Sequence, residues 1–314
     1  MDFSNDQFTR AAAIHSDAIV FDAHYDRLYA TLDQAHADLP TLRAGGVTVH
    51  IRQQSDDCGI FQFFERSQQA AEKWPAEMHI VSCAADIRRA KADGCVASIL
   101  SIEGAGPLQG DITLLQLLYR LGLRNLGITW NTRNEAADGV LEARSAGGLT
   151  RFGVALVEEA QRLGIMLDIS HLAPAGVRDL FAIYGGPVMA THSNARALCG
   201  HCRNLSDEQI EMVARSGGVV GVTLVPEFIA DRPQDATLDG LIDHVDHIVS
   251  VAGIDHVGIG TDWEGFSVPA NYFFTDISDF PAITEKLVQR GYVAGDIHQI
   301  LGGNFLRVIE QVLG

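Results

Sequence analysis

This chain has little positive charge, no long apolar run and few cysteines, and each shortage removes a class of function. Its 23 lysines and arginines stand against 40 aspartates and glutamates, giving a formal net charge of −17 and a pI near 5.0. Nucleic acid and anionic membrane surfaces need clustered cations, so neither is an expected partner. No apolar segment approaches the roughly 20 residues that span a bilayer. The opening segment MDFSNDQFTRAAAIHSDAIV has neither a basic leader with an apolar core nor a small-residue cleavage site. A cytoplasmic location is expected on that ground. No Pro/Ser-rich linker, charge block, low-complexity tract or short repeat divides the sequence, so residues 1–314 are read as a single domain. Five cysteines, an odd count, argue against a disulfide framework. Cys199 and Cys202 have C-x-x-C spacing, but they follow the sixth apolar run instead of an early strand of a small redox fold, and they are read as loop residues.

What the chain does have is 47% hydrophobic residues and eight short runs rich in Val, Ile and Ala, at 18–22, 47–51, 96–102, 125–129, 165–169, 188–190, 219–225 and 257–260. Such runs read as strands buried on both faces. Segments with helical spacing lie between most of them, as at 114–121, 153–163, 207–215 and 238–251. Eight strand–helix repeats predict an α/β fold of the (β/α)8 TIM-barrel type, with chemistry at the C-terminal ends of the strands. A doubly wound sheet is the alternative, but it would not bring residues from strands one, three, five, six and eight to one point.

Polar residues stand just where a barrel would gather them. His24 and Asp26, in FDAHYD, form an H-x-D pair, and alternate residues of a strand share a face, so both can reach one ion. Glu103 in SIEGAG, His171 in DISH and His192 in THSNAR end three further runs. Imidazole and carboxylate donors without thiolate suit Zn²⁺ first, with Mn²⁺, Co²⁺ and Fe²⁺ open on donor type. Five donors exceed the three that one open catalytic zinc commonly takes. Two Zn²⁺ ions sharing Glu103 would resolve the excess, since ions about 3.5–4 Å apart can hold a bridging hydroxide that attacks a carbonyl. Asp262, in GIGTDWEG at the end of the eighth run, is placed to accept a proton and return it to a leaving group.

Together these residues resemble the membrane dipeptidase family, the renal dipeptidases of peptidase family M19 in the amidohydrolase superfamily. The resemblance runs through FDAHYD, SIEG, NTRNEAADG, DISH, THSNARAL with RNLSDEQI, GVVGVTLVPEF, HVGIGTDWEG and LGGNFLRV, in that order. It implies a zinc-dependent dipeptidase that tolerates a D-residue on the C-terminal side. It also implies that His24 and Asp26 hold one zinc, His171 and His192 the other, that Glu103 bridges them and that Asp262 shuttles the proton. Arg203 matches the family's arginine for the substrate carboxylate, a pairing that guanidinium makes bidentately. Barrels of this family often pair, so a homodimer is the expected assembly.

The chain departs from the family at Trp130, in GITWNTRN, where well-known members carry a histidine. Indole donates one hydrogen bond and does not titrate. Trp130 is read as a wall of the substrate site, with Asn131 as a neighbouring polar contact. Glu264 stands where many relatives have Asp. The rival activity is that of an amidohydrolase of the same fold acting on N-acyl amino acids or cyclic amides. Asp22 and the Tyr25 backbone are candidate partners for a dipeptide's amine, and segments 34–42, 54–64 and 227–239 are expected to set side-chain preference.

Overall fold

A computed structural model describes residues 5–26, 38–54, 59–142, 145 and 147–314. Parts of two segments expected to set preference, 34–37 and 55–58, lie outside the described residues. The eight expected runs form eight strands of one parallel sheet, β1 (Val20–Tyr25), β2 (Val47–Arg52), β4 (Val96–Glu103), β5 (Leu123–Gly127), β6 (Met166–Asp168), β7 (Val188–Ala190), β8 (Val219–Val222) and β9 (Val257–Ile259), paired in that order. Almost every residue in them is buried, as strands covered on both faces require.

One strand lies off this path. β3 (Met78–Ile80) pairs with the first residues of β4, on the side that β5 joins only from Leu100 onward. The sequence reading does not anticipate it, because three residues, of which only Met78 is buried, carry no period.

The ring closes between its first and last members. Asp262 N donates to His24 O at 2.9 Å and Asp26 N donates to Trp263 O at 3.1 Å. Beneath these bonds the buried Asp22 carboxylate accepts from Thr261 N and Thr261 Oγ1, both at 2.7 Å. The result is a (β/α)8 barrel in which the segments after β1 and β9 run side by side.

Helices follow the strands, and short polar signals start them. Thr150 Oγ1 accepts from Gly153 N at 3.0 Å ahead of helix Arg151–Leu163. Ser206 and Gln209 cap one another's backbone ahead of helix Asp207–Arg215. The C-terminal helix Asn304–Leu313 has a different task. It packs against β6, β8 and β9, and Phe305 stacks on Phe21 of β1 at 4.9 Å. A helix touching strands on opposite sides of a ring lies across its end. Met166 and Val219, the first residues of β6 and β8, share its apolar cluster. It therefore plugs the N-terminal mouth and leaves the other end for chemistry.

Phe305 is fully buried in that plug. Phe305→Ala should destabilise the fold by about 3–5 kcal/mol, the usual loss for an aromatic removed from a core. Urea unfolding checks this, and a loss below about 1 kcal/mol would deny the plug its role.

Candidate metal centre

Each candidate residue is delivered by a strand end. His24 is in β1, Asp26 follows it, and Glu103 is the last residue of β4. His171 and His192 follow β6 and β7 by short turns, and Asp262 follows β9. All six converge. Glu103 Oε1 lies 2.8 Å from His171 Nε2 and 3.5 Å from both His24 Nε2 and His192 Nε2. His24 Nε2 is 3.2 Å from Asp26 Oδ1 and 3.8 Å from Asp262 Oδ1. Among the described residues, three groups have donor atoms within 4.8 Å of one another: Glu103 with His171 and His192, His24 with Asp26 and Glu103, and His24 with His192 and Asp262.

The donor set fits divalent cations. Around His171 Nε2, which has one lone pair, stand Glu103 Oε1 at 2.8 Å, His192 Nε2 at 2.9 Å and Arg203 Nη2 at 3.1 Å. Arg203 offers a donor there, but Glu103 Oε1 and the two imidazole nitrogens bring three lone-pair atoms together, a set suited to a cation. The electrostatics agree. Burial opposes charge on His24, yet Asp26, Glu103 and Asp262 outweigh it and raise its pKa to about 10. Burial pushes the Glu103 carboxyl well above its ordinary range, with Asp26 and Asp262 adding to the push against His24. Burial likewise raises Asp262 to about 7. His171 and His192 are held well below the usual imidazole value by burial, with the charges of His24 and Arg203 adding to it.

The ring orientations are set from behind. His171 Nδ1 donates to Asn131 Oδ1 at 2.9 Å. Asn131 lines the cavity, as expected of a substrate contact, and its oxygen also meets His171. Thr191 Oγ1 donates to Asp168 Oδ2 at 2.6 Å, leaving its lone pairs to His192 Nδ1 at 2.9 Å and His24 Nδ1 at 3.4 Å. One hydroxyl therefore turns two imidazoles, whose centroids are 3.6 Å apart, so that both present Nε2 to the centre. Thr191 is itself held by Asp168, which accepts from both its N–H and its hydroxyl, and glycine at 260 leaves room for its carbonyl.

A cavity of about 420 Å³ opens on the cluster, lined by Asp26, Glu103, Asp262 and Arg203 among others. Arg203 is 4% exposed. Its Nη1 donates to Ser170 O and its Nη2 to His192 O at 3.3 Å, so its guanidinium is fixed beside the histidines. Trp130 lines the same cavity, its ring 6.1 Å from that of His171. Asp22 does not reach it. Both its oxygens are taken by Thr261, and Tyr25 O accepts from Gln53 N at 3.3 Å.

Sequence reading missed three contributors. Asp168, the first residue of DISH, joins β6 to β7 through Ser170 and Thr191. Thr191 is hidden beside the more conspicuous His192. Gly265 closes on the acids, for a Cβ there would fall 2.2 Å from Asp262 Oδ1 and 2.3 Å from Asp26 Oδ2. The Cys199–Cys202 segment behaves as a loop: Cys199 is buried with its thiol on Glu227 O at 3.3 Å, Cys202 is exposed, and both are free.

Comparison with known proteins gives a consistent result. The family model described as membrane dipeptidase (peptidase family M19) matches residues 8–313. A dipeptidase of Aspergillus oryzae, aclJ, is 31% identical over 92% of this chain and 71% of its own. The crystal structure of an amidohydrolase from Pseudomonas aeruginosa superposes with a TM-score of 0.88 at 26% identity, covering 97% of this chain and 99% of that one. A Rhodobacter sphaeroides metallopeptidase, liganded with a phosphinate mimic of L-Ala-D-Ala, superposes with a TM-score of 0.80 at 26% identity, covering 94% and 100%.

Two substitutions test the second layer. Thr191→Val should weaken metal binding about 10–100-fold, whereas Thr191→Ser, which keeps the hydroxyl, should not. Competition with a chromophoric chelator reads this, and equal affinities would remove the relay. Gly265→Ala should depress turnover by displacing the two carboxylates while the melting temperature stays near that of the parent.

Proposed function

The chain belongs to the membrane dipeptidase family, peptidase family M19, and is a metallo-dipeptidase; from that premise we propose that it hydrolyses free L-Xaa-L-Xaa and L-Xaa-D-Xaa dipeptides at a two-zinc centre. The observation that carries this reading is that Glu103 belongs to two donor groups at once, one with His24 and Asp26 and one with His171 and His192. His24 and Asp26 would hold one ion and His171 and His192 the other, with Glu103 common to both. Bound there, zinc would acidify a shared water and polarise the scissile carbonyl.

The chain's own groups do the rest. Asp262, on the cavity wall and 3.8 Å from His24 Nε2, takes the proton released as water attacks and returns it to the peptide nitrogen. The amine then leaves neutral. Arg203 pairs with the substrate's free carboxylate, and its bonds to Ser170 O and His192 O hold it in place before substrate arrives. A longer peptide has no carboxylate at that distance, which confines cleavage to dipeptides. The Rhodobacter relative with its L-Ala-D-Ala mimic supports including C-terminal D-residues.

Asp262→Asn should lower kcat by about 10²–10⁴-fold with metal content retained. Arg203→Met should act mainly on KM, raising it about 10–100-fold, as loss of a charged hydrogen-bonding partner does. Steady-state kinetics with metal analysis checks both, and unchanged turnover in Asp262→Asn would remove it from the mechanism. Chelation should abolish cleavage and zinc should restore it. Zinc at about 1,000 times its Kd should stabilise the fold by about 4 kcal/mol. Cleavage confined to N-acylated substrates would instead favour the rival amidohydrolase activity.

A further inference from the structure

We propose that the substrate site selects dipeptides whose C-terminal residue is large and apolar, through a hydrocarbon wall made by Trp130 and Leu141 on one side and Phe228 and Val225 on the other. The inference rests on the dipeptidase reading with Arg203 as the carboxylate anchor. In a C-terminal residue the carboxylate and the side chain share one Cα, so the side chain must touch whatever surrounds the anchor. On one flank the Phe228 ring lies 5.4 Å from the Arg203 guanidinium carbon, with His201 stacked on it at 4.5 Å. On the other, Arg203 Nη2 meets His171 at 3.1 Å, and the Trp130 indole stands 6.1 Å from that imidazole. Leu141 is tied to Asn131, the residue after Trp130, by a backbone bond from Leu141 N to Asn131 O at 2.9 Å. All of these line the one cavity.

Trp130 and Leu141 are 49% and 59% exposed. They leave a large apolar surface at the mouth of a polar site. Among the described residues, the charged groups that line the cavity are Asp26, Glu103 and Asp262 at the cluster and Arg203 at the anchor. A charged C-terminal side chain laid against Trp130 and Leu141 would lose hydration to hydrocarbon. An aromatic or branched one would cover Trp130 and Leu141, and each buried methylene contributes.

The test is kcat/KM for a series Ala-Xaa, with Xaa as L- or D-Phe, Leu, Ala, Asp and Lys, on the zinc-loaded full chain and on Trp130→His, Trp130→Ala and the Trp130→Ala/Leu141→Ala pair. For the parent, Phe or Leu in at least one chirality should exceed Ala, Asp and Lys by about tenfold or more. The Phe/Ala ratio should fall stepwise from Trp130→His to the double variant. Equal rates across the series, a preference for Asp or Lys, or a ratio unmoved by the substitutions would overturn the inference while leaving the dipeptidase reading intact. A change in sedimentation of the double variant with an unmoved ratio would assign the surface to a second copy of the chain and likewise overturn it. No cleavage of any member would overturn both.

Discussion

The structure depends on the closure of the ring between its first and last strands. Thr261 and Asp22 are 239 residues apart, yet they share two hydrogen bonds of 2.7 Å at the bottom of the site. Above them Asp262 N meets His24 O, and Asp262 adopts a left-handed backbone with φ 59°. Such a conformation is uncommon outside glycine, and aspartate tolerates it better than most residues. It turns the Asp262 carboxyl back toward His24, 3.8 Å from its Nε2. Without closure, His24 and Asp262 would belong to opposite edges of an open sheet, and no cluster would form.

Two buried aspartates repeat the same device. Asp22 holds Thr261, which precedes Asp262, and Asp168 holds Thr191, which precedes His192. In each case a carboxylate inside the barrel fixes a threonine, and the threonine fixes the next residue in the chain. The chemistry is thereby placed by strands and buried hydrogen bonds, not by loops, which is what positional accuracy in a catalytic site requires.

The barrel was legible because eight strands covered on both faces must be apolar runs, and the convergence of the candidate donors because each lies at or just past the end of one of them. What escaped reading was of two kinds. β3 is too short to show a period. The others were residues whose role depends on distance across the fold. Asn131 lines the cavity beside Trp130, and what its position in sequence could not show is that its oxygen also meets His171 Nδ1. Asp22, next to the H-x-D pair, reads as a partner for a substrate amine until closure supplies Thr261. Gly265 reads as a turn, whereas its missing Cβ makes room for two carboxylates.

The site divides into a polar floor and an apolar rim, and the division follows from how each part is held. The floor crowds Asp26, Glu103 and Asp262 around three imidazoles, an arrangement that repels itself unless a cation is present. That repulsion makes the centre selective for positive charge and leaves it no capacity to distinguish side chains. Discrimination falls to groups outside the cluster, namely Trp130 and Leu141 on the segment after β5 and Val225 and Phe228 on the segment after β8. Between them lies the buried Arg203 guanidinium, held by Ser170 O and His192 O. Change at the rim can redirect substrate choice without disturbing the floor, and Trp130, which departs from the family's histidine, sits at the rim.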